Sequence, residues 1–209
     1  MTADHSRSYS RVGGHIALDL LNTVEWRLDP QRAIEDLPDY ESILAWAAQC
    51  DILSNTESAD LRRLAATAPP TQVAEEHRRF LQLRETAYEA LVNSSPDAAD
   101  GLTSTYRQTL ENARLRQDGS NWIWSERSIT LRTPHDRGAR HVIALLTSSE
   151  LGQLHQCEDA ACGWVYLDTS PRHNRRWCAA TDCGNRNRVR RYYARRRTGN
   201  PPATRSDDD

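Results

Sequence analysis

Apolar residues recur at helical spacing through most of the first 150 positions. Residues 39–49 place Ile43, Leu44 and Ala47 at that spacing around Trp46, and residues 58–66 repeat it with Leu61, Leu64 and Ala65. The longest such stretch, 71–93, puts Phe80, Leu83, Ala87 and Leu91 on one stripe and turns Arg78, Arg79 and Glu85 away from it. Asn93-Ser94-Ser95-Pro96-Asp97 interrupts the period, with Asp97 the expected N-cap of a helix through Leu110. Trp122-Ile123-Trp124 and Ile129-Thr130-Leu131 read as the two strands of a short hairpin, and 137–146 as a last helix. In the run 13–23, polar Asp19 and Asn22 interrupt the apolar residues Ile16, Ala17, Leu18, Leu20 and Leu21. The run fits a buried strand or a short buried helix, which periodicity does not separate.

At 209 residues the chain has room for one sizeable domain and a small appended module. No apolar run approaches the roughly 20 residues of a membrane span. Residues 1–11 are polar and lack the apolar segment of a secretory leader, so a cytoplasmic protein with reduced thiols and no membrane partner is expected. The net charge of −2 conceals an asymmetry. Between Cys157 and Ser206, 11 Arg stand against Glu158, Asp159, Asp168 and Asp182, a balance of +7, whereas residues 1–156 carry −6. Such a split points to a polyanionic partner for the basic end. Every basic side chain is Arg, a compositional trait that carries no functional weight here.

Four of the five cysteines are clustered as Cys157-x4-Cys162, fifteen residues, then Cys178-x4-Cys183. Two thiol pairs across a hairpin-sized insert are how a closed tetrahedral thiolate site is built, and four soft ligands with no vacant position favour structural Zn²⁺ over an iron–sulfur cluster. In the insert, Trp164-Val165-Tyr166-Leu167 reads as a strand, Pro171-Arg172-His173-Asn174 as a turn, and Arg175-Arg176-Trp177-Cys178 as the return. So small a module has little core, and the metal is expected to supply most of its folding free energy. Cys50, remote in an apolar stretch, reads as a small buried hydrophobe.

From Gly184 to Ser206 there is no acid. On a helix, Val189, Tyr192 and Tyr193 share a stripe expected to anchor it to the zinc module. Arg186, Arg190 and Arg197 flank one side, Arg188, Arg191 and Arg195 the other, and Arg196 falls within the stripe. With Arg172, Arg175 and Arg176 of the insert, these arginines are the candidate nucleic-acid contacts. The expected architecture is a mainly α N-terminal domain with a small β-hairpin over 1–150, a zinc-bound hairpin-plus-helix module over 151–198, and a disordered tail over 199–209.

The pattern Cys-x4-Cys-x-Trp-Val-Tyr-Leu-Asp168-x-Ser170, followed by Arg176-Trp177-Cys-x4-Cys-Gly184-Asn185-Arg186, resembles the CGNR zinc finger. Gly13-Gly14, Leu18-Asp19, Asn22-Thr23, Arg27 and Leu83-Arg84-Glu85 resemble the ABATE-type domain that precedes it. Leu20-Leu21 stands where Phe-Val is more usual in that family, and Arg188 where Lys is. The resemblance implies a bacterial transcription regulator associated with stress response, whose N-terminal domain senses a small molecule.

The leading expectation is therefore a regulator of double-stranded DNA with an N-terminal effector or oligomerisation domain, a homodimer among its possible states. The alternative is an RNA- or ribosome-binding protein, with Trp164, Trp177, Tyr192 and Tyr193 stacking on unpaired bases. An enzyme is not expected, since no nucleophile-elbow, phosphate-loop or zinc-protease motif occurs. For the effector, Asp19, Asn22 and Arg27 are the candidate polar contacts and Trp46 and Trp122 the candidate aromatic walls; the alternative is that these polar side chains only satisfy buried backbone groups and the tryptophans belong to the core.

Overall fold

In the computed structural model, residues 8–197 are described; the tail expected to be disordered, 199–209, lies outside them. The run after Gly14 is a helix, α1 (Ile16–Leu21), whose N-cap His15 accepts a hydrogen bond from the Ala17 amide. Ala17, Leu18, Leu20 and Leu21 are all buried, so the helix is apolar nearly all round and shows no amphipathic period. A two-residue ladder follows, β1 (Val24–Glu25) with β2 (Ile34–Glu35).

Three helices then start at well-formed caps or at proline. For α2 (Tyr40–Gln49), Asp39 and Ser42 satisfy each other's amides, and for α3 (Asn55–Thr67) Ser54 and Glu57 do the same. Pro70 opens α4 (Pro70–Val92), where its missing N–H costs nothing. For α5 (Pro96–Glu111) the N-cap is Ser95, not Asp97. The Ser95 hydroxyl accepts from the Ala98 amide, and Asp97 lies in the first turn, where its charge suits the helix dipole.

The hairpin also departs from expectation. Trp122 and Trp124 do lie on a strand, β4 (Asn121–Glu126), but its partner is β3 (Ala113–Asp118) and not 129–131. The register pairs Leu115 with Trp124 and Gln117 with Trp122. Ala-Arg-Leu-Arg-Gln-Asp carries little of the hydrophobic alternation that flags a strand, which is why β3 is silent in sequence. Residues 129–131 instead lead into α6 (Thr133–Leu146), whose Thr133 hydroxyl accepts the Thr130 amide.

Two cores hold these elements. One gathers Leu37, Ile43, Leu44, Trp46, Leu61 and Phe80, with the Trp46 and Phe80 rings edge to face at 5.7 Å. The other joins Leu18 and Leu21 of α1, Leu83 and Ala87 of α4, Leu102 of α5 and Val142 and Leu145 of α6. Val165 and Leu167 complete this second core, so the N-terminal helices and the cysteine region are packed on shared side chains. Burying each such side chain contributes about 1.5–3 kcal/mol.

Past α6 a 3₁₀ turn (Ser149–Gln153) leads to β5 (Leu154–Gln156), which pairs antiparallel with β6 (Val165–Leu167). The expected strand at 164–167 is therefore present, but its partner precedes Cys157. The returning segment 175–178 touches the hairpin through Glu158 N–H donating to Arg176 O at 3.0 Å. A π-helical turn (Ala180–Gly184) then runs directly into α7 (Asn185–Arg197). Among the described residues no helix is long and apolar enough to cross a membrane.

Candidate metal centre and basic helix

Cys157 follows β5, Cys162 precedes β6, Cys178 ends the return, and Cys183 lies in the π-helical turn. All four are buried, and their sulfurs lie within 4.8 Å of one another. Cys162 Sγ is 3.7 Å from Cys178 Sγ, which is 3.4 Å from Cys183 Sγ. A Zn–S bond of about 2.3 Å gives a tetrahedral edge of about 3.8 Å, so the four thiols fit a Zn²⁺ site. Cys157 is held below the ordinary thiol range by hydrogen bonds from the Cys162 and Cys178 thiols, and those two are pushed up by donating to it. Burial pushes Cys183 up to about 11. Four buried thiolates need a cation among them, and zinc supplies one when bound.

The surrounding residues brace this cluster. Arg186 Nη2 lies 2.7 Å from Cys183 Sγ, and its guanidinium stacks 4.3 Å above the Trp26 ring while pairing with Asp182. Asp159, fully buried, accepts from Asn187 Nδ2 at 2.9 Å and pairs with Arg190 at 3.4 Å. Gly184 passes so close to Trp177 that an added Cβ would sit 3.2 Å from Cδ1. The buried Asp168 carboxylate accepts the Ser170 and Arg175 amides, each at 2.9 Å, which shapes the turn between β6 and the return.

The structure separates the candidate arginines by their partners. Arg175 lies 4.0 Å over the Tyr166 ring and donates to the carbonyls of Trp177, Cys178 and Val12. Arg176 pairs with Glu158, and Arg186 is committed to the brace just described. Arg172, on the turn, and Arg188, Arg190, Arg191 and Arg195, on α7, are exposed. The expected apolar anchor is absent. Val189, Tyr192 and Tyr193 are exposed by 45%, 48% and 57%, and α7 is held at its base by Arg186, Asn187 and Arg190. Periodicity groups residues on one face without saying what covers it.

The five candidate effector contacts do not share a site. Asn22 bonds the Val165 backbone, and Asp19 accepts the Gly13 amide at 2.9 Å. Arg27 donates to Leu21 O and pairs with Glu85. Trp46 is fully buried in the first core, whereas Trp122 is 65% exposed on β4. Sequence reasoning passed over Asp159, Trp26, Asn187 and Tyr88, whose hydroxyl donates to Gly163 O at 2.9 Å. A carboxylate between two ligand cysteines, with arginines downstream, was the available signal for Asp159.

One stretch of the N-terminal region, residues 24–28, seats the loop that carries Cys162. Arg27 and Leu28 donate their amides to Cys162 O and Ala161 O at 3.0 and 3.2 Å, and Trp164 Nε1 donates to Val24 O at 2.9 Å. Gly163, at φ +73°, faces this contact, and a Cβ there would lie 3.0 Å from Arg27 Cβ and Leu28 Cγ.

Residues 153–196 match the family model of the CGNR zinc finger, and residues 14–149 match that of ABATE, described as "Putative stress-induced transcription regulator". No curated protein matches the chain. The N-terminal match covers more than half of the sequence, and the chain belongs to the ABATE family, with a CGNR zinc finger and its Zn²⁺ site at Cys157, Cys162, Cys178 and Cys183.

Proposed function

We propose that this chain is a cytoplasmic, zinc-dependent transcription regulator that binds double-stranded DNA through α7. The supporting observation is the helix itself. It springs from the turn that carries Cys183, contains no acid, and exposes Arg188, Arg191, Arg195, Arg196 and Arg197. Thirteen helical residues span about 20 Å, a length and width that a DNA major groove admits. Zinc acts here as structure: it fixes the base from which the helix projects, and the arginines supply the phosphate contacts.

Fluorescence anisotropy on duplex DNA over a salt series tests this. Replacing Arg188, Arg191 and Arg195 with Gln should weaken binding to all sequences and reduce the salt slope by roughly one per lost phosphate contact. Unchanged affinity and slope would place the interface elsewhere.

One feature favours the RNA reading. A groove of about 400 Å³ between Trp177 and Tyr192, rimmed by Arg188, Arg191 and Arg195, suits an unpaired base stacked between aromatic rings. Competition between duplex DNA and structured RNA for the same protein decides between them.

A further inference from the structure

A cleft of about 300 Å³ lies between α4, α5 and the start of α6, remote in sequence from the cysteines and from α7. Its basic lining is Arg79 from α4, which is paired with Glu75 at 2.8 Å and Glu76 at 3.7 Å, and Arg132 and His135 from the α6 end. Gln82, Thr86 and Gln108 add hydrogen-bonding groups, and Leu83 and Leu102 are the apolar part of the wall.

Arg132 and His135 are held in place by the same carboxylate. Asp136, 4% exposed, takes Arg132 Nε at 3.2 Å and His135 Nδ1 at 3.0 Å. Arg132 Nη2 also donates to Gln108 Oε1 at 2.9 Å, which leaves Nη1 without a partner among the described residues. His135, 6% exposed, turns Nδ1 to Asp136 and lines the cleft, where Nε2 has no protein partner among the described residues. Arg132 is moreover the N-cap of α6 and supplies no side-chain cap.

We propose that this cleft binds the oxyanion group, carboxylate or phosphate, of a small metabolite. Arg132 Nη1 provides the charged donor, His135 Nε2 an oriented contact, and Gln82 and Thr86 hydrogen bonds to the remainder of the molecule. The volume lies at the lower end of ligand pockets, which limits the ligand to a compact one. The proposal is independent of what α7 binds.

The test uses the full-length, zinc-loaded protein, titrated calorimetrically with potassium phosphate and potassium succinate against potassium chloride at matched ionic strength. At least one of the two dianions should bind saturably where chloride does not, and which one does identifies the group recognised. Gln82→Glu, a change at an exposed position, places a carboxylate at the cleft and should weaken binding at least tenfold with an unaltered melting temperature. Arg132→Gln should weaken it as well. His135 Nε2 should shift on saturation in nitrogen NMR spectra. No saturable binding of either dianion, or binding undiminished in Gln82→Glu, would overturn the proposal.

Discussion

The side-chain amide of Asn22 pairs with the backbone of Val165 as an adjoining strand would: Nδ2 donates to Val165 O and Oδ1 accepts the Val165 amide, both at 2.8 Å. Cys157 N–H donates to Trp164 O, so the next residue of the antiparallel ladder turns its own polar groups to the opposite edge. Asn22 meets them there, and Gly13 O accepts the Leu167 amide two residues on. One amide at the end of α1 thereby completes the strand that leads out of the metal loop.

Asn22→Ala leaves a buried N–H and a buried C=O unpaired, each costing about 1–3 kcal/mol. Denaturant unfolding of the full chain should show a loss of about 2–4 kcal/mol, and a chelator should strip zinc faster. Wild-type stability in the variant would show that water or a repacked loop replaces the amide.

Removal of a metal ligand gives a separate expectation. Purified protein should hold close to one equivalent of zinc, measured by elemental analysis. Cys178→Ser should lose it together with the near-ultraviolet signal of Trp164 and Trp177, which pack on the cysteine cluster. Retention of stoichiometric zinc in that variant would rule out the four-thiolate site.

The parts of this fold that were legible in sequence are those governed by neighbours in the chain. The stripe of Phe80, Leu83, Ala87 and Leu91 marks the buried face of α4, whereas α3, expected over 58–66, starts earlier, at Asn55, behind the capping box of Ser54 and Glu57. The cysteine spacing likewise announces the metal site. What was not legible depends on partners far away. That Asn22 serves a buried backbone group is legible, but not which one, because Val165 is 143 positions on. The strand after Cys162 was assigned to the wrong partner because both flanking segments have the right length. Tyr192 and Tyr193 share a stripe with Val189, yet nothing in the sequence says that this stripe faces solvent.

Asp19 carries a pH prediction. Burial raises its carboxyl to about 6, against the opposing hydrogen bond from the Gly13 amide and the charge of Arg11. The folded state therefore binds more protons than the unfolded state between roughly pH 4 and 6, and stability contributed by the neutral form fades as pH rises through 6. Asp19→Asn keeps an acceptor for Gly13 and removes the titration. In denaturant melts it should be more stable than wild type by about 1–2 kcal/mol at pH 8, with the gap closing toward pH 5. A variant less stable than wild type at pH 8 would mean that the ionised carboxylate is the form Gly13 requires.

Arg186 and Arg191 lie five residues apart, and the structure assigns them different work. Arg186 contacts Cys183 Sγ, stacks on Trp26 and pairs with Asp182, with its side chain 28% exposed. Arg191 is exposed on the second turn of α7. Loss of a residue that hydrogen-bonds a metal ligand commonly lowers metal affinity 10- to 100-fold. Arg186→Ala should therefore weaken zinc in a chelator competition by about that factor, and Arg191→Ala should leave it unchanged. On DNA the order reverses. With zinc saturating, Arg191→Ala should reduce the salt slope by about one, while Arg186→Ala shifts affinity with little change in slope. Zinc affinity lowered equally by both substitutions would place Arg191 in the brace, and a slope lowered equally by both would make Arg186 a phosphate contact despite its internal partners.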